Sequence, residues 1–261
     1  MSILGKSNLE YHSDRLHLSS SSLKTLLQSP EQFFQEYILN QRQQSSADHF
    51  TEGSFMHTLI LEPELVSEYA IFPGLRKAGA AWEQFKKENE GKQILSMPQK
   101  LKCEKLYESY ASMKVATSLI SDGIPEHNMT SSILGVPVKA RADYIVPSRR
   151  CIIDVKTTSM PSSRDAFSQT VQQYKYDLSA ALYCQIAHDT YGDLFDFYWL
   201  VLSKDDKQCH VYKASTDTLS AGAALVTKAL VLYKKCLNSG LWVADQPKIS
   251  YDTNQYEVEE I

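Results

Sequence analysis

The residues best suited to chemistry are two carboxylates, Asp143 and Asp154, with Arg141 and Lys156 beside them. If residues 147–150 form the loop of a β-hairpin, Asp143 lies directly opposite Asp154, and Arg141 lies opposite Lys156. Because strand side chains alternate, all four share one face of the hairpin. The other face would then rest on the core, with the apolar residues Ala140, Ala142, Tyr144, Val146, Cys151, Ile153 and Val155.

Two directly opposed carboxylates repel each other unless a cation lies between them. A hard divalent ion such as Mg2+ accepts carboxylate ligands, keeps water, and completes its shell with substrate phosphate. A lysine nearby can orient the attacking water or stabilise charge that develops on the phosphate. The alternative is an ordinary exposed strand with ion pairs, since an Asp-x-Lys triplet occurs by chance about once in a chain of average composition.

A second candidate is His57, in the short apolar segment between Gly53 and Pro63. We interpret this segment as a buried helix, although a run this short is also compatible with a strand. On a buried helix, a histidine is commonly a hydrogen-bonded core residue. Its other possible role is that of a metal ligand.

Two short helices are predicted near the N-terminus. Ser19–Ser22 precede the first, and Ser29 with Pro30 opens the second. Ser21 and Lys24 are candidates for phosphate contacts at the first helix, with plain helix capping as the alternative. Residues 40–51 lack apolar periodicity and are predicted to form a loop.

The remaining pattern is a mixture of strand-like and helix-like segments, which predicts an α/β fold with a central mixed sheet flanked by helices. We expect a single domain over residues 1–261. In it, the N-terminal helices 18–61 would contribute to the site, residues 136–158 would form the core hairpin, and residues 216–261 a closing helix and polar tail. The predicted helices are 98–120, 161–191 and 216–238; the predicted strands are 127–134, 136–146, 151–157, 195–202 and 208–214.

This order of elements, with Asp143 followed by Asp154-Val155-Lys156, resembles the core of the PD-(D/E)XK nuclease superfamily. The segment from Gly53 to Pro63 (GSFMHTLILEP) looks like the GxxxHxLLLEP segment of RecE-type exonucleases, and ARADYIVP, IDVKTT and YKYDLSAALY are similar to that family's hairpin and following helix. The resemblance extends from Leu18 to Tyr183. The chain also resembles the lambda-type recombination exonucleases.

The resemblance implies a role for several residues. Asp143, Asp154 and the main-chain carbonyl of Val155 would bind metal, His57 would be a further ligand, and Lys156 would be the catalytic lysine. The ions would be Mg2+ or Mn2+, two of them. Tyr183 matches the tyrosine of a helix motif that relatives write Gln-x-x-x-Tyr, but Ser179 stands where the glutamine belongs.

Arg141 is our candidate for binding a substrate phosphate, because its guanidinium group presents several N–H donors in a fixed planar arrangement. An ion pair with one of the two aspartates is the alternative. Other cations, Arg149, Arg150, Arg164 and Lys175, are expected to be solvated surface residues.

The family resemblance further implies degradation of linear double-stranded DNA from its ends, 5' to 3', leaving 3' overhangs for a partner single-strand annealing protein. Such exonucleases are rings of three or four subunits, and the nearness to RecE favours four. A structure-specific or restriction-like endonuclease on the same core is one alternative. A non-catalytic DNA-binding subunit with a relict site is another.

The composition and the absence of certain motifs limit which partners, cofactors and cellular locations are expected. The formal net charge is -4, so nothing global indicates a polyanionic partner, and any DNA contact needs a local basic surface. The five cysteines include no CxxC pair, which argues against a zinc site, an iron-sulfur cluster or a disulfide framework. No GxxxxGK[ST], GxGxxG or GxSxG motif is present. With no signal peptide and no long apolar stretch, we expect a cytoplasmic protein of a bacterial or phage-infected cell, with no membrane association.

Overall fold

The computed structural model describes residues 8–41 and 48–243. Its centre is a five-stranded sheet in which the strands follow one another in chain order, β3-β4-β5-β6-β7. β4 is antiparallel to β3 and β5, β6 is parallel to β5, and β7 is antiparallel to β6. The prediction of an α/β fold with a mixed sheet is therefore confirmed. These strands are β3 (Ile124–Ile133), β4 (Val136–Val146), β5 (Cys151–Thr158), β6 (Asp196–Ser203) and β7 (Cys209–Lys213).

A small parallel pair, β1 (Tyr69–Phe72) and β2 (Gln93–Ser96), lies outside this sheet and was not predicted. Helices cover both faces of the large sheet, as expected for a strand order that includes a parallel crossover. The bounds of the elements outside the large sheet are α1 (Asn8–Ser13), α2 (Ser20–Gln28), α3 (Pro30–Phe33), α4 (Asp48–Leu61), β1 (Tyr69–Phe72), α5 (Ala80–Glu88), β2 (Gln93–Ser96), α6 (Met97–Ser112), α7 (Lys114–Leu119), α8 (Arg164–Gln173), α9 (Tyr176–Tyr191) and α10 (Thr216–Ser239).

The two faces of the sheet support two separate cores. One core contains α2, α8, α9 and α10, with Phe197 and Trp199 of β6 among its large side chains. The other contains α4, α6 and α7, with Leu200 and Leu202 of the same strand. The alternation of β6 therefore places successive residues in different layers, as a strand buried on both faces requires.

The predicted hairpin register is correct where β4 and β5 pair, because Val146 faces Cys151 and Tyr144 faces Ile153. The prediction that Asp143 directly faces Asp154 is wrong, since the ladder stops at the Tyr144 pair.

The predicted apolar face is correct for Tyr144, Val146, Cys151, Ile153 and Val155, which all pack in the second core, and wrong for Ala140 and Ala142. Ala140 and Ala142 pack in the first core, whereas Tyr144 and Val146 pack in the second. The change occurs at Asp143, where the β3–β4 ladder omits Asp143 and Glu126, whose φ of 48° is left-handed. Outside regular strand geometry, strict alternation of faces no longer holds.

Three helix predictions need correction. α4 begins at Asp48, inside the predicted loop 40–51, of which residues 42–47 lie outside the described part of the chain. The predicted helix 98–120 is two helices interrupted at Met113, which adopts an extended conformation. The predicted helix 161–191 is divided at Lys175, whose φ is 49°.

The N-terminal caps are confirmed: the side chains of Ser19 and Ser29 accept hydrogen bonds from the main-chain N–H groups of Ser22 and Gln32. α3 continues into a π-helical turn over Phe34–Ile38. Of the predicted C-terminal segment, residues 244–261 lie outside the described part of the chain. Within residues 8–41 and 48–243, none of the helices has the length and apolar character needed to cross a bilayer.

Candidate metal centre

Four of the sequence-predicted site residues, His57, Arg141, Val155 and Lys156, line one open cleft of about 670 Å3. α4 contributes His57, β3 and β4 contribute Glu126 and Arg141, and β5 contributes Val155 and Lys156. The cleft lies where α4 packs against β4 and β5, next to the point at which these two strands separate. Strands that part in this way leave polar groups free to face a ligand.

Three side chains in or directly beside this cleft could hold a metal ion. The ligand atoms of His57, Glu126 and Asp143 all lie within 4.8 Å of one another, and each side chain is partly buried. His57 Nδ1 is 3.7 Å from Asp143 Oδ2. Carboxylate oxygens suit Mg2+ and Mn2+, and imidazole is a common partner for transition metals.

Asp154 and Lys156 form an ion pair beside this group, with Asp154 Oδ2 2.5 Å from Lys156 Nζ. Asp143 Oδ2 instead accepts a hydrogen bond of 2.8 Å from the main-chain N–H of Val155. The two aspartates are therefore linked through the β5 main chain rather than by direct opposition. Asp154 is not among the three residues clustered within 4.8 Å.

Burial disfavours the ionised forms of two carboxylates at the site, Glu126 and Asp154. Burial, reinforced by the charge of Asp143, raises the pKa of Glu126, although Arg141 and His57 oppose the rise. Burial and Asp143 also raise the pKa of Asp154, although Lys156 opposes it. A divalent cation would favour the ionised form of both carboxylates.

Within the Asp154–Lys156 pair, the surroundings disfavour the charged form of Asp154 but favour the charged form of Lys156. Burial alone would lower the pKa of Lys156, but the charges of Asp154 and Asp143 outweigh it and raise that pKa. The ammonium faces two carboxylates, whereas Asp154 faces one cation and one further anion. We therefore assign the positive charge to Lys156, and the ionised form of Asp154 is the disfavoured one.

A tyrosine ring and a second lysine adjoin Lys156. The Nζ atoms of Lys156 and Lys24 each lie 5.3 Å from the ring centroid of Tyr176. Burial and the charge of Lys156 lower the pKa of Lys24 to about 8, despite the opposing charges of Asp154 and Asp177. The structure thus places the predicted phosphate-binding Lys24 next to the predicted catalytic lysine.

Arg141 forms an ion pair with Glu126, whose Oε2 lies 2.5 Å from the Arg141 Nε. Arg141 also lines a neighbouring cavity of about 300 Å3, together with Ser21 and Tyr183. Burial raises the pKa of Tyr183 well above its usual value. Ser179 lies one turn before Tyr183 on α9. The roles proposed for these residues from the sequence stay predictions.

Sequence reasoning missed Glu126 because the first strand was predicted to begin at residue 127. A signal was present: Leu134 and Gly135 form a two-residue turn, with Ile133 opposite Val136. Continuing that pairing along the hairpin brings Glu126 opposite Asp143. Glu62 lines the same cleft, and burial raises its pKa. It belongs to the segment between Gly53 and Pro63, but its sequence context alone did not indicate a role in the site.

The arrangement combines a metal-ligand group, a charged lysine and an open cleft. A metal ion held by carboxylates beside a charged lysine is one arrangement suited to hydrolysis of a phosphodiester, because the substrate and the developing charge are both anionic. The fold and these residues define a PD-(D/E)XK type of domain. The chain belongs to the family described as "PDDEXK-like domain of unknown function (DUF3799)", whose profile matches residues 19–252.

The chain is also similar to solved structures. One is a "Putative exonuclease" from Eubacterium rectale, with 16% identity, a TM-score of 0.64, and coverage of 96% of this chain and 98% of that one. Another is a phage related exonuclease from Haemophilus somnus 129PT, with 14% identity, a TM-score of 0.37, and coverage of 87% and 97%. The first similarity supports the fold. A search of curated proteins finds no match.

Proposed function

We propose that this protein is a metal-dependent DNA exonuclease that hydrolyses phosphodiester bonds in the cleft around Lys156. The observation that carries the proposal is the group formed by His57, Glu126 and Asp143, whose ligand atoms lie within 4.8 Å of one another beside the Asp154–Lys156 pair. The exonuclease named among the similar structures supports the same class of activity.

Within this proposal, the metal would be Mg2+ or Mn2+, with Asp143, Glu126 and His57 as side-chain ligands. Asp154 and the main-chain carbonyl of Val155 would complete the site. The bound ions would polarise the phosphate and lower the pKa of a bound water. Lys156 is charged and would stabilise negative charge on the phosphate oxygens, and Arg141 would hold the neighbouring phosphate.

The finer proposal, which rests on the resemblance of the motifs, is digestion of linear duplex DNA from 5' to 3', leaving 3' overhangs. A single-strand annealing protein would take up the product. The active form would be a ring of identical subunits, four rather than three, each built from one domain over residues 1–261.

The direct test is digestion of a linear duplex and of its covalently closed circular form in Mg2+. We expect loss of the linear DNA alone, inhibition by EDTA, and loss of activity by orders of magnitude in Asp154→Asn and Lys156→Met. Lys87→Met, on α5 outside the cleft, serves as the control. Cutting of the circle would indicate an endonuclease, and intact DNA under all metal conditions would contradict catalysis.

A further inference from the structure

The cleft continues beyond Lys156 into a second cavity of about 310 Å3. Four residues line both spaces, namely Gly53, Lys156, Thr157 and Tyr176. A strand whose phosphate lies at Lys156 therefore has a continuous path along β5 and past Tyr176. The volume is within the range of pockets that hold small ligands, about 300–1,000 Å3.

A pair of stacked tyrosines forms one wall of this second cavity. Tyr174 is 46% exposed, and its ring stacks on Tyr176 with centroids 5.8 Å apart and an angle of 25°. Residues two apart do not face each other on a regular helix. Lys175, with φ 49°, interrupts the helix between them and so permits the stack. The ring of Tyr176 therefore lies beside Lys156, and the ring of Tyr174 is exposed to solvent.

A groove rich in lysine follows. Lys204 lines the second cavity and also a space of about 370 Å3 between α6 and the β6–β7 turn. We call this space the lysine groove; it is lined by Pro98, Leu101, Lys102, Lys105, Leu106, Lys204 and Lys207.

The charge of the lysine groove is only partly neutralised. Lys102 and Lys204 both pair with the single carboxylate of Glu52, at 3.6 Å and 2.6 Å. Lys105 and Lys207 are exposed and have no ion-pair partner in the part of the chain that the structure describes. The groove therefore supplies a local positive surface on a chain whose net charge is -4.

We propose that the cleft, the tyrosine pair and the lysine groove form one track for a single nucleic-acid strand, an inference that rests on the proposed nuclease function. The scissile phosphate lies at Lys156, an unstacked base lies on Tyr174, and phosphates farther along lie beside Lys105 and Lys207. Aromatic platforms combined with positive grooves are the general means of holding single strands. Because Tyr174 stacks only on a base that has left its neighbour, the strand is unpaired here.

Binding of a fluorescent single-stranded oligonucleotide, measured in Ca2+ to limit cleavage, tests the track. Tyr174→Ala is expected to weaken affinity about five- to 150-fold, the loss that corresponds to one stacked base, whereas Tyr174→Phe keeps it. Lys105→Gln and Lys207→Gln should each lower the slope of log affinity against log salt by about 0.7. Lys228→Gln, on α10 in the other layer, is the matched control.

A crosslinking measurement locates the base. Oligonucleotides with 5-iodouracil at successive positions should crosslink to Tyr174 only within about two nucleotides of the cut, because the rings of Tyr174, Tyr176 and the Lys156 amine are consecutive neighbours. Crosslinks at Tyr174 from distant positions would overturn the proposed track.

The outcomes separate the two proposals. If the wild type digests DNA while Tyr174→Ala and Lys105→Gln bind and cut like wild type, the track is wrong and the nuclease assignment stands. If the wild type digests nothing in Mg2+ or Mn2+, the nuclease assignment fails, whatever the variants bind. Weaker binding by Tyr174→Ala together with wild-type affinity in Tyr174→Phe would support the track.

Discussion

The main-chain N–H of Val155 donates a hydrogen bond of 2.8 Å to Oδ2 of Asp143. This bond joins β4 to β5 just after their ladder has ended at Tyr144 and Ile153. Val155 lies between Asp154 and Lys156, so one carboxylate on β4 holds the segment that carries both of those residues. The same oxygen lies 3.7 Å from Nδ1 of His57. Asp143 is therefore both a candidate metal ligand and the residue that positions β5.

These two roles of Asp143 can be separated by substitution. Asp143→Asn keeps an oxygen that can accept the Val155 hydrogen bond but removes the charge, so we expect normal folding and cleavage reduced by orders of magnitude. Asp143→Ala also removes the acceptor and should lower the thermal midpoint by a few degrees, since a lost hydrogen bond costs roughly 1 kcal/mol. Calorimetry and a digestion assay measure the two effects. Cleavage by Asp143→Asn at the wild-type rate would eliminate Asp143 as a ligand.

The histidine and the glutamate that share the candidate metal group should affect metal dependence. We expect His57→Ala and Glu126→Gln to raise the Mn2+ concentration needed for half-maximal cleavage by about 10–100-fold or more, the loss typical even of outer-shell partners. High Mn2+ should restore part of the rate. His188→Ala, near the end of α9 and outside the cleft, is the control. An unfolded His57→Ala protein, or one with unchanged metal dependence, would make His57 a structural residue.

The raised pKa of Glu126 predicts how stability depends on pH. A carboxyl whose pKa is higher in the folded than in the unfolded chain contributes stability that is present below about pH 4 and is lost as the pH rises through its folded pKa. Without metal, Glu126→Gln should therefore raise the thermal midpoint at pH 7, by about 2–4 °C for each kcal/mol, and have little effect at pH 4.

The control for this experiment is Glu104→Gln on α6, outside the cleft. Adding Mg2+ should stabilise the wild type more at pH 7 than at pH 5, because the ion binds the ionised carboxylates. Equal effects of Glu126→Gln on the thermal midpoint at pH 7 and at pH 4 would show that the charge of Glu126 is not destabilising in the folded protein.

Much of this site follows from periodicity and local chemistry. A loop at residues 147–150 predicts the pairing of Val146 with Cys151 and of Tyr144 with Ile153, and the apolar run between Gly53 and Pro63 predicts a helix that carries His57; both features agree with the structure. Helix caps at Ser19 and Ser29 depend on neighbouring residues alone, so they too are readable from sequence.

The parts that sequence did not predict depend on irregular backbone. The left-handed conformation of Glu126 ends regular alternation at Asp143, and the same conformation at Lys175 divides one helix into two. Neither residue is a glycine or an asparagine, so its type gives no local signal for φ above zero. Both irregularities adjoin the cleft: one brings Glu126 to Asp143, and the other permits Tyr174 to stack on Tyr176.

Lys24 should make nucleic-acid binding depend on pH. Burial and the charge of Lys156 lower its pKa to about 8, so Lys24 is charged at pH 7 and loses its charge as the pH rises through 8. If Lys24 contacts phosphate, affinity falls across that range in the wild type. In Lys24→Gln, affinity at pH 7 should be lower by severalfold and this alkaline decline should be absent. Lys87→Gln provides the control, and an unchanged alkaline decline in Lys24→Gln would exclude Lys24 as its source.

The proposed ring would hold DNA by enclosing it. With a net charge of -4, the surface of one subunit offers few phosphate contacts, and salt weakens each of them, so processive digestion needs a topological link to DNA. Cyclic closure of identical head-to-tail interfaces provides such a link. Light scattering at micromolar concentration should give a mass of four subunits of 29.6 kDa each, with three as the alternative.

A ring must also load from a free end. We therefore expect digestion of a linear duplex but not of the same duplex with both ends closed by covalent hairpins, because the closed form has the same length and charge but no end. Restriction of the closed form inside one hairpin should restore digestion from that end alone. A monomer in light scattering with DNA and Mg2+ present, together with equal digestion of open and closed duplexes, would rule out the ring while leaving the chemistry of the Lys156 cleft intact.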